Sequence, residues 1–265
     1  MFDFHKDKKR YFDIQVTVTL EEIIPFIGKY KSIDDNSRVL EVGCGEAGVL
    51  KAFLQQGCTG VGVELAESRV KDAQHFLSKE INDGKARIVN ENIYDSVQSK
   101  SLGHFDIIIL KDVIEHIPDQ MRFIDTLHAL LKDDGVIFFA YPPWWMPFGG
   151  HQQIASSKYL RAWPWLHLAP KKLYHSILRW CNEKPATIHE LMDVYATGIN
   201  IETMYRILKI HHFTIIDEVF WFFNPIYKFK FGLRQRKVWP ILTRIPLLRN
   251  FYTTAHYIIF KKTIV

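Results

Sequence analysis

The segment Val39-Leu40-Glu41-Val42-Gly43-Cys44-Gly45-Glu46-Ala47-Gly48 constrains this chain more than any other. A β-branched run enters a glycine turn and leaves as an apolar helix (48–56) that stops at Gly57. Such a turn lets backbone approach a ligand closely and aims helix N-terminal amides at it. The spacing Gly43-x-Gly45-x-x-Gly48 fits the dinucleotide fingerprint, so a nicotinamide-dependent dehydrogenase has to be weighed. Glu41 argues against it. A carboxylate two residues before the first glycine faces the loop mouth, where it repels a pyrophosphate and favours a ligand with an ammonium group.

The first 140 residues alternate β-branched runs with helical periodicity, the pattern of a parallel α/β sheet. Strands are expected at 38–42, 60–63, 86–90, 105–110 and 136–140, and helices at 14–30, 48–56, 66–79 and 121–131. Asp133-Asp134-Gly135 is expected to turn into the fifth strand. Pro142, Pro143, Pro147, Pro164, Pro170 and Pro185 then break the rhythm to about residue 197. A helix (201–210) and a strand (213–222) resume it, a basic stretch interrupts at 224–250, and a strand at 252–261 closes the chain. The expected fold class is α/β: a Rossmann-like, seven-stranded, mostly parallel sheet with helices on both faces and a late lid insertion. One domain over 1–265 accommodates it, with a ligand-binding core at 35–140, an aromatic lid at 141–197 and a basic insertion at 224–250.

Charge divides the chain. Residues 1–140 hold 17 Lys and Arg against 23 Asp and Glu, whereas residues 141–265 hold 17 against 6. All seven tryptophans follow residue 140. Cys44, Cys58 and Cys181 have neither metal-ligand spacing nor an even number, which fits a reducing compartment. The N-terminal MFDFHKDKKRYFD lacks the apolar core of a signal peptide, and the charge-free run 136–157 is broken by three prolines. The expected location is cytoplasmic, with peripheral contact at a membrane.

Residues 39–50 together with Glu64, and the run FDIIILKDVIEHIPD from Phe105 to Asp119, resemble the class I S-adenosylmethionine-dependent methyltransferases. The branch they are most similar to is the small-molecule one that includes ubiquinone-biosynthesis enzymes. S-adenosylmethionine has an ammonium and a sulfonium but no phosphate, in keeping with Glu41. The resemblance implies that Glu41, Gly43 and Gly45 hold the methionine end, with Cys44 contributing mainly backbone. It places the ribose at Glu64, next to Leu65, and the adenine beside Asn92 and Ile93, although the family often has an acidic residue where Asn92 stands. Lys111 and Asp112 would line the cofactor cleft.

Methyl transfer from a sulfonium is an in-line displacement, so much of its catalysis comes from orientation and exclusion of water. A hydroxyl acceptor also benefits from a general base. His116, read as starting the helix after the fourth strand, and His151, after Gly149-Gly150, are the two catalytic candidates. Asp112-x-x-Glu115-His116 would share a helix face able to bind a divalent cation. Some quinone- and RNA-directed hydroxyl methyltransferases resemble this, with Glu in the first position and a bound metal. Here the first residue is Asp, and the default is a capped helix start with solvent-facing carboxylates, so no metal is assigned.

The late segments bear on the acceptor. Trp144-Trp145-Met146-Pro147-Phe148 and Trp163-Pro164-Trp165 would overhang the site, and residues 224–250 hold seven Lys and Arg, no Asp or Glu, and interleaved aromatics. The reading is O-methylation of an amphipathic or glycan- or lipid-linked small molecule, with contact to an anionic membrane. An RNA methyltransferase and a non-catalytic cofactor-binding interaction module are the rivals.

Overall fold

The computed structural model describes residues 7–98 and 102–263; the first six residues of the charged N-terminal segment lie outside the described residues. Its strands are β1 (Arg38–Val42), β2 (Thr59–Val63), β3 (Ala86–Val89), β4 (Phe105–Lys111), β5 (Leu131–Tyr141), β6 (Phe213–Phe223), β7 (Arg236–Lys237) and β8 (Ala255–Lys262). They form one sheet in the order β3-β2-β1-β4-β5-β8-β6-β7. The first five run parallel, and β8 lies antiparallel between β5 and β6. The seven expected strands are all present. The eighth, β7, is a two-residue edge strand inside the basic stretch, too short to leave a periodic trace in the sequence.

Alternation of apolar side chains explains why the sheet is covered on both faces. Leu40, Ile108, Leu110, Ile137, Phe139 and Ile258 point to one face, packed against Phe123, Ile124 and Leu127 of the helix Gln120–Leu130 and Met204, Ile207 and Leu208 of the helix Ile201–Ile210. Val39, Ile107, Ile109, Phe138 and Ile259 point to the other, against Phe12, Ile23 and Ile27 of the leading helical segment and Leu50 and Phe53 of the helix Gly48–Leu54. Gly48 is where these last two helical elements touch. A Cβ there would lie 2.8 Å from the Phe12 carbonyl oxygen, so the third glycine of the loop serves helix packing.

Several local expectations are corrected. The leading helix begins at Lys8 rather than residue 14 and passes through a π-helical turn at Thr19–Ile23. Asp133-Asp134-Gly135 lies within β5, where pairing jumps from Phe105↔Leu131 to Ile107↔Val136, so these residues form a strand irregularity. Residues 252–254 precede β8, and a short helix, Leu248–Tyr252, occupies the expected strand start.

The segment after β5 forms helices Lys158–Ala162, Lys171–Trp180 and Pro185–Thr197 around a small core of Leu160, Leu166, Tyr174, Leu178 and Leu191. No helix among the described residues is long and apolar enough to cross a membrane.

Candidate functional site

Strand order reverses at β1, whose neighbours β2 and β4 connect in opposite directions across the sheet. In open parallel sheets the crevice beyond the carboxyl ends of such strands is where ligands bind. A cavity of about 480 Å³ opens there, within the usual range for a small-molecule site. Its wall includes Glu41, Gly43, Cys44, Gly45, Lys111, Asp112, Glu115, His116 and His151.

The glycine turn is built by sterics and held by carboxylates. Gly43 has φ +66°, and a Cβ on it would stand 2.6 Å from Val113 Cγ2, so only glycine suits the position. Gly45 also has positive φ, but a Cβ there would meet nothing within 4 Å, so it marks the open side of the turn. Glu64, at the end of β2, accepts hydrogen bonds from the Gly45 amide through Oε2 and the Ala66 amide through Oε1, both 2.9 Å. Glu41 accepts one from the Leu50 amide at 2.8 Å and is 3 % exposed. Burial pushes its carboxyl up to about 8, a rise only partly offset by that hydrogen bond and Lys111. An acid so placed ionises readily once a cation arrives beside it.

Beyond β4 the structure departs from the expected helix. Asp112 has φ +57° and Ile114–His116 is a single 3-10 turn, with the following helix starting only at Gln120. Asp112 therefore shares no helix face with Glu115. It pairs with Lys111 at 2.6 Å. Burial opposes both charges, yet their mutual attraction prevails, keeping the lysine's pKa raised and the carboxyl's lowered.

Glu115 is not solvent-facing. It is 2 % exposed, and neither carboxylate oxygen has a hydrogen-bond partner among the described residues. Burial, and then Asp112, raises its pKa well above the usual value. His151 reaches over from the segment after β5, placing Nε2 3.8 Å from Glu115 Oε1 and its ring 5.0 Å from that of His116. Burial, with help from His116, lowers the His151 pKa to about 4, and burial also lowers that of His116. One ligand atom from each of Glu115, His116 and His151 falls within 4.8 Å of the others. His151 sits in a left-handed conformation, φ +57°, next to Gly150, where a Cβ would collide with His167 at 2.2 Å. Strained backbone of this kind persists where the surrounding packing dictates it.

The cavity thus gathers Glu41, Gly43, Cys44, Gly45, Lys111, His116 and His151, but it does not include every residue singled out from sequence. Glu64 stands behind the turn, 8 % exposed, and Leu65 is 68 % exposed beside it. Asn92 turns its side chain to the Tyr94 amide at 3.1 Å, and Ile93 is buried in the core. Other wall residues lie outside any motif: Tyr11 and Gln15 from the first helix, and Tyr227, Lys230 and Phe231 from the basic stretch after β6. Lys230 has its pKa lowered to about 8 by burial, with Asp112 opposing. Its only trace in the sequence is its place in a basic run interleaved with aromatics.

Comparison with known proteins bears on the family and the fold. Residues 12–187 match the family described as "Methyltransferase domain". Over 106 residues the chain is 32 % identical to the ubiquinone biosynthesis O-methyltransferase of Actinobacillus pleuropneumoniae serotype 5b (strain L20), covering 39 % of this chain and 44 % of that one. Over 104 residues it is 33 % identical to the enzyme of the same name from Coxiella burnetii (strain Dugway 5J108-111), covering 38 % and 42 %. The matched region thus spans less than half the length of these curated relatives. Among solved structures, an S-adenosylmethionine-dependent methyltransferase from Clostridium acetobutylicum ATCC 824 superposes with a TM-score of 0.55 at 12 % identity, over 92 % of this chain and 91 % of that one. The magnesium protoporphyrin IX methyltransferase from Synechocystis PCC 6803 with bound SAH gives 0.55 at 12 %, over 99 % and 89 %. At such identities the likeness is one of fold.

Proposed function

The chain belongs to the methyltransferase-domain family, and from that premise we propose that it transfers a methyl group from S-adenosylmethionine to an oxygen of an amphipathic or glycan- or lipid-linked small molecule. The observation that carries this reading is the cavity at the strand-order reversal, which has the glycine turn and Glu41 on one side and the Glu115, His116 and His151 cluster on the other. Glu41 takes the ammonium of the methionine end, because a carboxyl held at about 8 by burial favours a cationic neighbour over an anionic one. That preference also speaks against a pyrophosphate ligand. Gly43, Cys44 and Gly45 offer backbone to the same end. Glu64 and Leu65 receive the ribose, Asn92 and Ile93 flank the adenine side, and Lys111, neutralised by Asp112, closes the rim of the cleft.

S-adenosylmethionine, when bound, supplies a methyl group already activated on a sulfonium. What remains for the chain is to hold an acceptor oxygen in line, exclude water and manage one proton. His151 is neutral near pH 7 and is the acceptor-side base, with His116 positioned against its ring. An imidazole whose pKa lies near 4 is a weak base for a hydroxyl. Glu115 stands 3.8 Å behind it and, with its pKa raised well above the usual value by burial, would stabilise an imidazolium only after giving up its own proton.

A second reading of the cluster has its own support. The two buried, unpartnered oxygens of Glu115 and two neutral imidazoles are a donor set suited to a divalent cation. Glu115, His116 and His151 would hold it, and it would polarise an acceptor hydroxyl and lower its pKa.

The reading is tested by turnover of methyl-labelled S-adenosylmethionine with the purified chain, presented separately with total lipid extract and with total RNA. Label in the lipid-extractable fraction is expected. Label in RNA would replace the acceptor class with the nucleic-acid rival. Cofactor binding without label in either would favour the interaction module.

A further inference from the structure

Exposed apolar side chains are unevenly placed on this molecule. Of the eighteen exposed large hydrophobic residues among those described, fourteen fall in the lid and in the stretch 226–252. In the latter, Trp239 is 64 % exposed and Ile241 70 %. Single apolar residues on a surface are ordinary, but a concentration of this kind marks a contact surface.

Charge selects its partner. Residues 224–250 include no carboxylate of their own; Glu21 pairs with Lys228 and Glu202 with Arg249 from neighbouring elements, whereas Arg234, Arg236 and Arg244 are exposed. Exposed bulky aliphatic and indole groups interleaved in sequence with guanidinium and ammonium groups match an anionic bilayer, where apolar side chains enter the acyl boundary and cations meet headgroups. A single-stranded nucleic acid would call for flat aromatic rings on which bases stack, and the most exposed positions of this stretch include Ile241, which has no such face.

The surface is joined to the cavity. Residues 227–231 lie near the start of this stretch, and Tyr227, Lys230 and Phe231 form part of the cavity wall. The lid meets its far end, for the Trp145 ring lies 5.6 Å from that of Phe251, and the Trp145 carbonyl accepts a hydrogen bond from Trp165 Nε1 at 3.1 Å. Trp165 is itself 42 % exposed.

We infer that the stretch 228–248, through its exposed Trp239 and Ile241, docks on an anionic membrane surface so that an amphipathic acceptor enters the cavity past Phe231 directly from the bilayer. The route of entry rests on the proposed methyl transfer, whereas the docking does not.

The test is co-sedimentation of the full chain with vesicles of phosphatidylcholine alone and of phosphatidylcholine containing phosphatidylglycerol. The wild type is expected to partition onto the anionic vesicles, with binding falling as salt rises. Trp239→Ser with Ile241→Ser is expected to weaken partitioning about tenfold or more, by removing the inserted apolar tips. Arg234→Gln with Arg244→Gln is expected to weaken it about twenty-five-fold, on a scale of about fivefold per cation near an anionic surface. Both double variants should keep wild-type affinity for S-adenosylhomocysteine, which reports that they are folded. Equal partitioning of the serine variant and the wild type would overturn the inference. So would no partitioning of the wild type, or salt-sensitive binding to polyuridylate that is stronger than binding to vesicles. Failure of methyl transfer with intact vesicle binding would count against the proposed activity alone.

Discussion

Replacing Glu64 by Gln tests how the glycine turn is held. The carboxylate accepts two backbone N–H groups, from Gly45 and Ala66, each at 2.9 Å and largely out of water. Gln has the same shape but only one acceptor oxygen. Its amide nitrogen must face one of those N–H groups as donor against donor. One charge-assisted hydrogen bond is lost outright, the other becomes neutral, and a buried amide is left unpaired. Hydrogen bonds to charged groups contribute roughly 1.5–3 kcal/mol, so the substitution should cost about 2 kcal/mol of stability. For a chain of this length that is a fall in Tm of about 4 °C. With the turn loosened and the proposed ribose acceptor gone, affinity for S-adenosylhomocysteine should drop by about 1–3 kcal/mol, or roughly 5- to 150-fold. Melting followed by circular dichroism gives the first quantity and calorimetric titration the second. A folded Glu64→Gln protein with wild-type affinity would refute the assignment. Unchanged Tm with lowered affinity would instead show that the turn does not depend on these two hydrogen bonds.

Glu41 predicts a pH dependence. Its carboxyl titrates near 8 in the free protein, and an ammonium bound beside it must lower that value, so the complex holds fewer protons than its parts. Affinity for S-adenosylhomocysteine should therefore rise with pH up to about 8, at most about tenfold per unit; a flat profile from pH 6 to 8, or a dependence that survives Glu41→Gln, would contradict the reading. His151→Ala should slow transfer to the true acceptor by about 100-fold or more, the general-base scale, while leaving cofactor affinity within a factor of about two; wild-type turnover would remove His151 from the chemistry. Gly43→Ala sets a Cβ against Val113 in a left-handed conformation, which should cost about 1–2 kcal/mol from backbone alone and be visible as a lower Tm together with weaker cofactor binding; neutral behaviour in both would mean that the turn is not as tightly packed as its geometry requires.

Much of the fold was legible because periodicity and burial coincide. The strand at 38–42 and the helix at 201–210 lie where their apolar patterns place them, and the glycine turn announces itself through local backbone demands. Less was legible where pairing partners decide. The bulge at Asp133-Asp134-Gly135 exists because β5 meets β4 out of step, and β7 exists only because Arg236 and Lys237 fall beside Phe223 and Trp221 of β6. The candidate site divides the same way. Glu41, Gly43 and Gly45 were readable from spacing. His116 and His151 were readable only as separate candidates, 35 positions apart, and nothing local indicates that Glu115 is buried beside His151 or that Asp112 turns to Lys111. Tyr227 and Lys230 reach the cavity through the return of the chain along β6 and β8, a tertiary fact without a sequence motif.

On the proposed reading, the glycine turn and Glu41 form a site for a cationic, phosphate-free cofactor. Calorimetric titration of the purified chain with S-adenosylhomocysteine, and separately with NAD, decides whether they do. Saturable binding of S-adenosylhomocysteine with no heat from NAD is the predicted result. Binding of NAD alone would contradict the electrostatic argument from Glu41 and, with it, the proposed reaction.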